Sequence, residues 1–137
     1  VMKLMKILLV LPVFILSACA HLGEQEQLEH LEVKQKLFMK ALRWKSYETA
    51  ASVIRFKNPA RQLAPLDELH KITVTSYELI ASQPNLQQGT AAAQVLFSYV
   101  QDETGRVYQL KHDQHWWFDE ESKQWFLASD MPMFKYH

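Results

Sequence analysis

The hydrophobic period changes once along this chain, near Ile72, and that switch limits the folds open to it. Before Ile72, apolar residues recur at helical spacing. From about Glu26 to Trp44, Leu28, Leu31, Phe38, Ala41 and Leu42 fall three, four or seven apart, with charged residues between them. Glu32 and Lys36 add a favourable i,i+4 pair. Ser46 is placed to cap a second, shorter helix over SYETAASVIRF, which Asn58-Pro59 ends. Pro65 to Leu69 reads as one more helical turn.

After Ile72 the period becomes two. ITVTSYELIAS (72–82) is rich in β-branched and aromatic residues, and Pro84-Asn85 breaks it. AAAQVLFSYVQ (91–101) sets Ala91, Ala93, Val95, Phe97 and Tyr99 on one face. The turn at Asp102–Gly105 leads to a long strand at 106–120, and that at Glu120–Lys123 to a fourth at 124–129. The tail MPMFKYH offers Met131, Met133 and Phe134 for folding back onto the domain. Helices segregated before strands predict an α+β domain, with N-terminal helices packed on one face of a four-stranded antiparallel sheet.

The N-terminus follows a different logic. Lys3 and Lys6 precede an apolar run of ten residues, Ile7 to Leu16. A membrane-spanning helix needs about 20 such residues, so the run predicts an export signal. It ends Leu16-Ser17-Ala18-Cys19, and Cys19 is the only cysteine in the chain. This ending resembles the bacterial lipobox. The resemblance implies a diacylglycerol on the Cys19 thiol, cleavage between Ala18 and Cys19, and acylation of the new amino group. Lipid chains then anchor the protein, each buried methylene contributing about 0.8 kcal/mol. Ala20, rather than Asp, follows the cysteine, which in enterobacteria-like sorting leans toward the outer membrane, facing the periplasm. The expected layout is a signal peptide at 1–18, a lipidated cysteine and polar tether at 19–27, and one domain at 28–137. No second cysteine exists for a disulfide, so packing alone must hold that domain together.

The mature pattern resembles the NTF2-like, cystatin-like superfamily, whose helices lie in the cup of a strongly curved sheet. The residues carrying the likeness are the 26–44 helix, SYETAASVI, and the strands around His115-Trp116-Trp117 and Gln124-Trp125. The pattern is also similar to small proteobacterial lipoproteins with a Trp-containing hairpin followed by proline. Fold alone assigns no activity.

Composition narrows the function classes. Apolar residues make up 48 % and charged residues 22 %, with zero formal net charge. That balance argues against disorder and against nucleic-acid binding by bulk charge. Three glycines leave no room for a phosphate-binding glycine loop. His112 and His115 would share a helix face, but on a strand their odd spacing sends them to opposite faces and defeats joint metal binding. Asp67-Glu68 and Asp119–Glu121 sit at a helix start and a turn, where acids are favoured for solvation. Ser76, Ser98 and Ser129 lack a nucleophile-elbow context.

Aromatics carry the remaining candidates. Tyr77, Phe97, Tyr99 and Tyr108 are placed to line the cup, with Trp44 and Tyr47 at one end. Trp116 and Trp117 must face opposite ways, so one packs under the helices and the other lines the outer face across from Trp125 or Phe126. The expectation is a non-enzymatic envelope lipoprotein without cofactor or metal. It is tied to the membrane by its lipid and meets an envelope protein through the exposed sheet face, with Trp117 and Trp125 on it, or through the tail. The alternative is a lipid-anchored module whose aromatic cup, with Trp44, Tyr77, Phe97 and Tyr99 in its walls, holds a small hydrophobic ligand. A third possibility is an enzyme using His112 or Asp113.

Overall fold

The computed structural model describes the backbone of residues 2–137 and the side chains of residues 23–137. The expected export signal, the expected cleavage pair Ala18 and Cys19, and the thiol expected to take the lipid therefore lie outside the residues whose side chains are described.

The domain is α+β, with two helices preceding a four-stranded antiparallel open sheet of order β1-β2-β3-β4. Helix α1 (Met2–Arg43) buries Leu31, Phe38, Ala41 and Leu42 as its periodicity predicts, and Gln35 and Met39 besides, whereas Leu28, expected on the same stripe, is exposed. Gly23 to Gln27, expected in a polar tether, instead continue this helix. The Gln27 carbonyl accepts the Trp125 indole N–H at 3.0 Å, so the folded unit begins before residue 28. Ser46 N–H donates to the Ala41 carbonyl at 2.8 Å and Lys45 N–H to that of Leu42 at 3.3 Å, the paired bonds of a Schellman cap. Lys45 holds the left-handed position there, at φ +60°.

Helix α2 (Tyr47–Val53) is shorter than SYETAASVIRF suggests, and the Ser46 side chain makes no capping bond. Ile54 turns extended and bridges Leu127 in parallel, and Arg55 N–H donates to the Leu127 carbonyl at 2.9 Å. The chain leaves the helix because β4 (Gln124–Leu127) has an open edge whose backbone groups need partners. A 3-10 turn at Asp67–Lys71 then leads into the sheet.

Strand β1 (Ile72–Asn85) runs through Pro84 rather than stopping before it. An edge strand tolerates proline, which lacks only a donor. Its register against β2 (Thr90–Gln101) slips twice, between Val74 and Ser76 and between Leu79 and Ala81. Each slip inserts a residue, Thr75 and then Ile80, and switches which face the following side chains occupy. Ile72, Val74, Tyr77, Leu79, Ser82 and Pro84 consequently pair with the inward residues of β2, namely Gln101, Tyr99, Phe97, Val95, Ala93 and Ala91. The two bulges also bend and twist β1.

Strand β3 (Val107–Asp119) pairs with β2 without interruption. The core collects Val95, Phe97 and Tyr99 from β2, Trp116 from β3, Trp125 and Leu127 from β4, and the helical stripe. The tail closes it. Met131 and Phe134 are buried, whereas Met133, expected beside them, is 87 % exposed. The Phe134 ring lies 4.8 Å from that of Tyr99 in an edge-on arrangement, and Lys135 N–H donates to the Tyr99 hydroxyl at 2.9 Å.

Candidate functional site: the groove between α1 and β1

Helix α1 covers the inner face of the sheet only in part. Beyond Val74 every residue of β1 is exposed, those on the inner face included, although Gln35 of α1 reaches Ser82. The gap is a groove of about 750 Å³. Buried Leu31, Gln35 and Met39 of α1 form its floor. Leu28 from the helix and Tyr77 and Leu79 from the strand form its walls, each 38 % exposed. Gln35 Nε2–H donates to Ser82 Oγ at 3.1 Å and sets the level of helix against strand. Glu32, Lys36 and Lys40 stand along the helical rim. Lys36 Nζ is 2.8 Å from Glu32 Oε1 and lowers that carboxyl's pKa, first by hydrogen bonding and then by charge.

Of the expected site residues, only Tyr77 lines this groove. Phe97 and Trp125 are fully buried and Tyr99 is 3 % exposed. They are core, not contact surface, because Phe38, the tail ring Phe134 and the other aromatics fill the space of the expected open cup. Trp44 is 65 % exposed at the far end of α1, with the Arg43 guanidinium 4.8 Å from its ring centroid. Tyr47 is buried, donates to the Leu69 carbonyl at 2.9 Å, and has its pKa pushed up to about 12, chiefly by burial.

The tryptophan pair splits as strand parity requires. Trp116 faces the core, and Trp117 faces outward across from Phe126, their ring centroids 5.6 Å apart. Trp125 lies on the inner face instead, opposite Phe118. The outer pair is not a bare apolar patch. Arg55 covers both rings at 5.7 and 5.1 Å, Lys57 and Lys34 flank them, and the Trp117 indole N–H donates to the Arg55 carbonyl at 2.7 Å.

His112 and Asp113 lie on opposite faces. Asp113 accepts from Gln94 Nε2–H at 2.9 Å on the outer surface. His112 is buried, with Phe38 stacked 6.1 Å away and Phe97 at 6.2 Å. A single order of bonds satisfies its surroundings. The Trp116 indole N–H donates to Gln114 Oε1 at 3.0 Å, and Gln114 Nε2–H donates to His112 Nδ1 at 3.2 Å. His112 Nε2–H then donates to the Asp130 carbonyl at 2.9 Å. Indole can only donate, which fixes the Gln114 amide and hence the neutral Nε2–H form of His112. Burial lowers the His112 pKa, opposed by the Asp130 carbonyl and the Asp113 charge. This chain ties β3 to the tail and leaves the imidazole no free nitrogen.

Sequence reasoning missed Leu28, Leu79 and Pro84. Helical periodicity puts Leu28 on the buried stripe, and the bulge at Thr75 that turns Leu79 toward the groove, like the one at Ile80 that restores the earlier parity for Pro84, has no simple sequence signal. Among the described residues, no helix is long and apolar enough to cross a membrane, and no three His, Cys, Asp or Glu side chains gather as a metal site. Compared with protein-family models and with curated proteins, the chain matches none.

Proposed function

We propose that this protein is a non-enzymatic envelope lipoprotein, anchored through acylated Cys19 and facing the periplasm from the outer membrane, that binds an apolar guest in the groove between α1 and β1. The observation that carries the reading is that groove, whose volume lies within the range of small-molecule sites, roughly 300–1,000 Å³. Its lining holds one carboxylate, Glu32, already engaged by Lys36, and one hydroxyl of the serine type, Ser82, already accepting from Gln35. Such a lining suits binding better than acid–base or nucleophilic chemistry. We assign the domain to the NTF2-like, cystatin-like superfamily, a reading supported by its helix-first order and by the two bulges that bend β1.

A second reading, docking of an envelope protein, rests on the free edge of β1. The β4 edge is covered by Ile54 and Arg55, whereas β1 has a strand neighbour on one side only. An added strand is a known mode of peptide recognition at such edges. Two measurements test the proposal. Cells fed labelled palmitate yield a labelled protein that becomes unlabelled and leaves the membrane fraction in Cys19→Ser. An environment-sensitive apolar dye taken up by the wild type is excluded by Leu79→Asp. An unlabelled wild type removes the anchor, and equal dye uptake by both proteins removes the groove.

A further inference from the structure

The groove has apolar walls and a charged helical rim, and it is not symmetric end to end. Gln35 meets Ser82, and Lys45 and Thr73 share Asp102, so α1 runs antiparallel to β1. From Leu28 to Lys40 the helical wall extends about 18 Å at 1.5 Å per residue. At the end that includes Leu28 and Pro84 the nearest charge in the lining is Glu32, which is paired with Lys36 at 2.8 Å and leaves no net charge there. At the other end stand Lys40 and Tyr77. Lys36 is neutralised by Glu32, but Lys40 has no ion-pair partner among the described residues. The groove therefore presents one uncompensated positive charge, with a tyrosine in the same lining, at one end of a channel with apolar walls.

From this polarity we infer that the guest is a single-chain amphiphilic acid, such as a fatty carboxylate. Its tail lies over Leu31 between Leu28 and Pro84, and its head meets Lys40 and Tyr77. This rests on the groove-binding reading above and names its ligand class. Charge complementarity selects an anion over a cation or a neutral chain. Length agrees as well, because about a dozen methylenes with C–C bonds near 1.5 Å extend roughly 15 Å. The head lies at an exposed rim, so its pairing with Lys40 adds selectivity rather than most of the affinity. The apolar walls supply the rest.

The test is equilibrium binding of three twelve-carbon probes below their micelle concentrations: laurate, dodecanol and dodecylammonium. Laurate is expected to bind one per chain, with dodecylammonium at least tenfold weaker and dodecanol between them. Lys40→Gln is expected to bring laurate to the level of dodecanol, a loss of three- to tenfold, and leave dodecanol unchanged. Leu79→Asp is expected to abolish all three, with Leu28→Asp as a second block on the opposite wall should the strand substitution disturb folding. Trp117→Ala, on the other sheet face, is expected to bind laurate normally. Equal binding of laurate and dodecylammonium, or no effect of Lys40→Gln, overturns the acid preference while groove binding stands. Absence of binding by all three probes overturns both. A dimer that Leu79→Asp dissociates, with no laurate taken up, assigns the groove to a second copy and overturns the inference. So does an apolar extended decapeptide that binds there more tightly than laurate.

Discussion

Replacing Gln114 with methionine tests the buried bond chain directly. The side chain is 1 % exposed and serves two partners, accepting from the Trp116 indole and donating to His112 Nδ1. Methionine fills similar volume and makes neither bond. Two buried polar groups lose their partners, each at a cost of about 1–3 kcal/mol. Relief of the amide's own burial offsets part of this, so the net loss is expected at about 2–3 kcal/mol. With a urea m-value of about 1.5 kcal/mol/M, the unfolding midpoint falls by roughly 1.3–2 M at unchanged slope. A Trp116→Phe partner closes a double-mutant cycle, in which coupling of at least about 0.5 kcal/mol is expected because the two residues share one bond. A Gln114→Met midpoint within about 0.3 M of wild type would refute the reasoning, because it would show that the chain of bonds carries no net stability.

Further outcomes follow from other features. Burial depresses the His112 pKa below its ordinary 6.5. The imidazole's contribution is therefore full above pH 6.5 and is lost as pH falls through the folded value, so thermal unfolding between pH 7.5 and 5.5 should show a decline that His112→Gln flattens. Lys123 sits at φ +58° in the β3–β4 turn with its side chain 70 % exposed, so Lys123→Gly should stabilise by about 0.5–1 kcal/mol and raise Tm by a few degrees, read by calorimetry. Trp125→Ala should cost about 3–5 kcal/mol because its ring is wholly buried, whereas outward-facing Trp117→Ala should cost well under half as much, compared by urea unfolding.

The architecture was legible where one force dominated. The switch of period at Ile72 separated helices from sheet, and strand parity sent His112 and His115 to opposite faces. Boundaries shifted where tertiary bonds competed with local preference. Helix α2 ended at Val53 because the β4 edge drew Ile54 and Arg55 into pairing. The site was less legible. Aromatic residues marked the cup, but aromatic area is also what fills a core, and Phe97, Tyr99 and Trp125 went there. Which apolar residues remain open depends on how far α1 reaches across β1 and on two one-residue register slips. Neither quantity is encoded in any short stretch of chain.

The hydrogen bond from the Trp125 indole to the Gln27 carbonyl joins residues 98 positions apart. It ties the final hairpin to the part of α1 on the N-terminal side of the groove. A pull applied at the N-terminus would travel along the helix and meet this clasp before reaching the Gln35–Ser82 bond. Mechanical load would thus fall on the hairpin, where Trp125 is packed from all sides, and the groove would keep its shape under tension.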